Sequence, residues 1–167
     1  MLDNQIIENP TVASIGKTNK EVLDKIEKTV IETLKEYYPN YVDFDDRKYT
    51  VEQGSTVVMI QVRDFTSTDA CVECTAQVVT GCRIDNELMH YLLKKNTELY
   101  FGAFGIIFDD TITFSHNITG SNMNKDEFLN SVKGVGLVSD FYDDKIVEVA
   151  GGKRACDLDS ESLEESL

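Results

Sequence analysis

Between Thr18 and Pro39 apolar residues recur every three or four positions, at Val22, Ile26, Val30, Leu34 and Tyr37. That spacing draws one apolar stripe along a helix. Thr18-Asn19-Lys20-Glu21 reads as a capping box with Thr18 as N-cap, and Pro39 ends the element, which spans 19–38. A second helical stripe begins behind Asn124 and Glu127, runs through Phe128, Val132, Val135, Leu137/Val138, Tyr142, Ile146 and Val149, and stops at Gly151-Gly152. Between the two, the period changes to two. Lys48–Gln53, Thr56–Arg63 and Ala70–Thr80 read as strands joined by turns at Gly54-Ser55 and Ser67-Thr68-Asp69. Asp85 caps a short helix that ends near Asn96. Glu98–Phe108 and Thr111–Ile118 then form a hairpin around Asp109-Asp110.

The order α-β-β-β-α-β-β-α, with strands in short-turn runs and helices segregated from them, predicts an α+β fold. The expected architecture is a twisted antiparallel sheet of about five strands with helices packed on it. No internal repeat or linker interrupts 17–154, which reads as one domain. The 1–16 stretch reads as a flexible segment and 155–167 as an acidic disordered tail.

One segment departs from ordinary two-layer patterning. In Phe101–Phe108 alternate residues put Phe101, Ala103, Gly105 and Ile107 on one side and Gly102, Phe104, Ile106 and Phe108 on the other. Both sides are apolar, as they are in Val57-Val58-Met59-Ile60, although one face of such a sheet is normally polar. The second face therefore needs a cover: another helix, a second subunit or a bound peptide. Phe101, Phe104, Ile106 and Phe108, with Leu88, Met89 and Leu92 of the neighbouring helix, are the candidate protein-binding or dimer residues. Ordinary core packing is the competing role for each.

Charge narrows the function classes. Sixteen Lys+Arg stand against thirty Asp+Glu, a formal net charge of −14. Such a surface repels phosphates, which argues against nucleic acid and against an anionic membrane. Half of that charge lies outside the body of the chain: −5 in 155–167 and −2 in 1–16, leaving −7 on 17–154. The first sixteen residues show no basic and apolar leader pattern, and no apolar run approaches membrane-spanning length. A cytoplasmic location with reduced thiols is the expectation.

The candidate chemistry is thin. Cys71-x-x-Cys74 falls inside a strand, where its side chains point to opposite faces, and no second such pair accompanies it. A metal or redox role for Cys71, Cys74 and Cys82 with His90 or His116 is the weakest alternative. Cys156, the fourth cysteine, sits in the tail, and no metal or cofactor is expected. Asp43–Lys48 carries lysine where a calcium loop needs glycine, and Gly151-Gly152-Lys153-Arg154 follows a helix instead of a strand. Neither is a site. The polar loop His116, Asn117, Thr119, Ser121, Asn122 and Asn124 leads from a strand into a helix N-terminus, where free amides can take an anion. Turn and cap formation is its simpler role, and a small-molecule or anion-binding regulator is the alternative it supports. His116 has no nucleophile beside it in a recognisable motif, so no catalytic residue is expected.

The element order and acidic character resemble the type III secretion chaperone-like superfamily, and most closely its YbjN family. The stretch LLKKNTELYFGAFGIIFDDTITFSHNITGSNMNKDEFLNSV and then YDDKIVEVAGGKR are similar to the central and C-terminal segments of cyanobacterial YbjN-like proteins. That resemblance implies helices on a twisted antiparallel sheet, frequent homodimers and the binding of an extended segment of a client protein. It supplies no catalytic residues. The expected function is a non-enzymatic protein- or peptide-binding domain, chaperone-like or regulatory.

Overall fold

The computed structural model describes residues 16–157, so the expectations for 1–15 and 158–167 lie outside the described residues. Helix α1 (Lys20–Tyr37) leads into β1 (Val42–Asp43), β2 (Lys48–Gln53), β3 (Thr56–Thr66) and β4 (Asp69–Thr80). Then follow α2 (Asn86–Glu98), β5 (Ala103–Ile107), β6 (Thr111–Thr119), α3 (Lys125–Ala150) and β7 (Lys153–Arg154). The strands form one antiparallel sheet in the order β1-β2-β3-β4-β6-β5, with β7 beside the end of β4. The sheet exceeds the expected five strands by β1 and β7, each two residues long and too short to leave a periodic signal.

The helix starts follow local chemistry, with one correction. Asp85 and Asn124 cap α2 and α3 by accepting from the amides of Leu88 and Glu127, each at 2.9 Å. At α1 the cap is Asn19, not Thr18: its side chain accepts from Glu21 N. Thr18 is drawn away by the β3–β4 turn. Its Oγ1 donates to Asp69 O at 2.9 Å and accepts from Phe65 N at 3.0 Å. That clamp lies where the hairpin runs past Arg63 to Thr66, because Phe65 and Asp69 are its two backbone partners.

Helices α1 and α3 cover one face of the sheet. The inward residues line up across the register, with Val58 beside Ala76, Ala76 beside Phe114, and Phe114 beside Phe104. Ile26, Val30 and Leu34 of α1 and Phe128, Val132 and Ile146 of α3 close over them. Burial of these side chains, at roughly 1.5–3 kcal/mol each, is what holds the two layers together.

Helix α2 lies along β5, at the sheet edge. Helix α2 therefore does not supply the second cover, and among the described residues only a helical turn at 155–157 reaches that face, through Ala155 and Cys156. On the face away from α1 and α3, Val57 and Met59 stay about two-fifths exposed beside Thr75 and Gln77. The last hairpin also differs from expectation. The chain from Glu98 to Gly102 is not strand, since Leu99 N donates to Lys95 O and ends α2, and pairing begins at Ala103. Asp109 and Asp110 take positive φ at the turn, a backbone that aspartate tolerates better than most residues.

Candidate peptide-binding groove

A cavity of about 630 Å³ opens between the 99–102 loop, β6 and the first half of α3. Phe114, Ile118 and Val135 are buried beneath it, and Leu99 and Val138 form half-buried walls. Its lips are aromatic. Tyr100 is 96% exposed and Phe101 74% exposed, and the Phe101 ring lies 5.5 Å from that of His116. Gly102 makes this arrangement possible. Its φ is 78°, and a Cβ there would come within 2.6 Å of the Phe114 ring and 2.8 Å of Ser115 O. Only glycine lets the loop press so close to β6.

The polar side of the groove is built on α3. Ser131 Oγ donates to Glu127 O at 3.0 Å and lies 3.0 Å from His116 Nδ1. A hydroxyl has one proton to give, so it accepts from His116, which places the imidazole proton on Nδ1. Burial pushes the His116 pKa below its ordinary value, while Glu127 pulls the other way. Asp126 and Glu127 also line the groove, and no lysine or arginine does so among the described residues. Lys125, the base beside them, pairs instead with Glu36 of α1 at 2.7 Å. At the N-terminus of α3, Asn124 occupies the amide of Glu127, and the two carboxylates stand where an anion would enter.

The structure divides both candidate sets. Of the loop residues, His116 and Asn124 face the groove, while Asn117 and Thr119 line a shallow depression beside Arg63, Cys71 and Glu73. Ser121 and Asn122 are exposed in the turn, where Asp69 takes the Ser121 amide at 2.8 Å. Of the apolar set, Phe101 joins the groove. Leu88, Leu92 and Phe104 are buried within the chain. Phe104 stacks edge-on against Phe114 at 4.9 Å and Tyr142 at 5.2 Å, which accounts for its burial. Met89, Ile106 and Phe108 remain exposed near the α2–β5 edge, Phe108 at 82%.

Several residues escaped the pattern. Tyr100 belongs to the groove, and Leu93 extends the exposed row on α2. Phe141 forms an exposed pair on α3 with Leu137, so that of Leu137/Val138 in the expected stripe it is Val138 that packs on the core. The i, i+4 spacing of that pair was the available signal, but it merges with the buried stripe. Asn96 was also invisible. Its side-chain amide accepts from Phe104 N at 2.7 Å and donates to Phe104 O at 3.2 Å, as a neighbouring strand would.

The cysteines stand apart from the groove. Cys74 is buried, and desolvation pushes its thiol up to about 12. Cys71 is half-buried on the other face, and His90 is exposed on α2. Among the described residues no three His, Cys, Asp or Glu side chains converge as a metal site would require. None of the described helices is long and apolar enough to cross a membrane.

An antiparallel sheet backed by two helices, with a third at its edge and an aromatic-lipped groove, defines a small α+β domain. Residues 24–158 match the family model of T3SS (YopN, CesT) and YbjN peptide-binding chaperone 1, and the chain belongs to that family. Its fold is similar to that in the crystal structure of the ExsC–ExsE complex, at 11% identity and a TM-score of 0.59, covering 75% of this chain and 96% of that one. It is also similar to the structure of the HopA1–SchA chaperone–effector complex, at 9% identity and a TM-score of 0.50, covering 75% and 92%. At such identities the likeness is one of fold. No curated protein matches the sequence.

Proposed function

We propose that this protein is a non-enzymatic peptide-binding domain. It holds an extended segment of a client protein in the groove between the 99–102 loop and α3, and it pairs with a second copy through the exposed residues of α2 and β5. The observation that carries the client site is the pair Tyr100 and Phe101, two large aromatics left in solvent over an apolar cavity. Exposing such rings is unfavourable unless something covers them. The subunit contact is supported by Met89, Leu93, Ile106 and Phe108, which remain exposed near one edge of the sheet.

A photo-cross-linking residue placed at position 100 in the native cell, read by mass spectrometry, would identify the client segment. The segment made as a labelled peptide should bind wild-type protein and bind Phe101→Ser at least tenfold more weakly. Equal binding by the two proteins would remove the groove as the client site. For the subunit contact, Leu93→Asp and Phe108→Asp should each shift sedimentation from dimer towards monomer with the circular dichroism spectrum unchanged.

A further inference from the structure

The geometry points to a client segment of a particular chemistry: an apolar side chain that enters the groove, followed by a lysine or arginine held at its acidic rim. This inference rests on the groove being the client site and goes further by specifying what the groove selects. The charged and aromatic groups of the rim favour a cation, beside the neutral amides of Asn124 and Asn130. Among the described residues, Asp126 and Glu127 are the only charged ones that line the groove, and both are exposed at the mouth. Their two negative charges outweigh the roughly half positive charge of the α3 N-terminus. With the His116 proton on Nδ1, where it meets Ser131, the other ring nitrogen is an acceptor. The faces of Tyr100 and Phe101 present π-electron density, which attracts ammonium and guanidinium groups. The neighbouring base is withdrawn, because Lys125 is held by Glu36.

The floor sets the other half of the specificity. Phe114, Ile118 and Val135 offer only carbon, so an apolar side chain is favoured there and a charged one is excluded by desolvation. A cation with an aliphatic stem suits the rim, because the stem can cover the exposed rings while the head stays wet beside the carboxylates.

Three short fluorescein-labelled peptides of one leucine pattern, carrying arginine, glutamine or glutamate at the intervening positions, provide the test by fluorescence anisotropy. The arginine peptide should bind about fivefold tighter than the glutamine peptide, the upper range for an exposed ion pair. The glutamate peptide should bind weakest. Glu127→Gln and Asp126→Asn should each reduce the arginine preference and leave the glutamine peptide unaffected, with circular dichroism melts confirming the fold. Glu87→Gln, at the opposite end of α2, changes the net charge equally and should leave the preference intact. If Glu87→Gln erodes it as much as Glu127→Gln, the overall charge is responsible and the inference is overturned. If the arginine and glutamine peptides bind alike while Phe101→Ser weakens both, the groove stands and its cation selectivity falls. If Phe101→Ser weakens neither, the groove itself is not the client site, and the inference falls with it.

Discussion

Two glycines of α3, two residues apart, show how far a single position depends on its surroundings. Gly134 has nothing within 4 Å of the point where a Cβ would sit, whereas at Gly136 that atom would lie 2.7 Å from Gln53 Cβ and 3.5 Å from Val58 Cγ2. Gly134→Ala should therefore stabilise the protein by about 1 kcal/mol, the full helix-propensity gain. Gly136→Ala should destabilise it, since the same gain is outweighed when α3 is pushed off the β2–β3 hairpin; urea denaturation of both variants measures the contrast. His116 makes a pH-dependent contribution at the same scale. Burial holds its folded pKa below the unfolded value of about 6.5, so the unfolded state takes up the proton first as pH falls. Stability from this residue is fully present above about pH 6.5 and declines as the pH drops through the folded pKa. Denaturation midpoints at pH 7.5 and 5.5 should fall further for wild type than for His116→Gln.

At the scale of elements, the junction of α2 with β5 governs what the sheet edge can do. Strand β5 ends the sheet, and an edge strand with free backbone groups invites pairing with another chain. Asn96 fills that position at Phe104 with both of its amide atoms. Asn96→Ala leaves the Phe104 N–H and C=O without that partner, at a cost of roughly 1–3 kcal/mol for the pair. Hydrogen exchange at the Phe104 amide should accelerate accordingly. Asn96→Asp keeps the acceptor but sets an oxygen against Phe104 O, so it should restore protection only in part. Helix α3 serves two purposes in one stretch: its buried stripe closes the core, while Leu137 and Phe141 stay exposed. A Lys145 ammonium 3.2 Å from the centre of the Phe141 ring partly covers that aromatic.

At the scale of the whole molecule, net charge and apolar exposure oppose each other in self-association. Two copies that meet through Met89, Leu93, Ile106 and Phe108 bring −14 against −14. Lowering salt to about 0.01 M stretches the screening length to roughly 30 Å, and about 1 M shortens it to roughly 3 Å. Self-association should therefore tighten with salt in sedimentation equilibrium, while binding of the arginine peptide should loosen. Opposite salt trends distinguish the two surfaces. The sheet face around Val57 and Met59 is apolar enough to explain its sequence pattern; the helical turn at 155–157 brings Ala155 and Cys156 to its edge, and Val57 and Met59 both stay about two-fifths exposed.

Periodicity by itself determined the three helices, the long strands and the α+β class, because an amphipathic element must show its repeat in sequence to bury one side. Capping residues at Asp85 and Asn124 were equally legible, since a cap acts within four residues of itself. The Asn19 cap was misread because Thr18 answers to Phe65 and Asp69, over forty residues away. The candidate site divides the same way. Phe101 stood out in one candidate set and His116 with Asn124 in another, but nothing local joins the two sets. Tertiary structure alone decided that they share one groove, that Phe104 lies in the core and Tyr100 in solvent, and that both rim charges are acidic. The reason is that a groove is a relation between the 99–102 loop, β6 and α3, and sequence spacing does not encode distances between elements that meet only when the sheet closes.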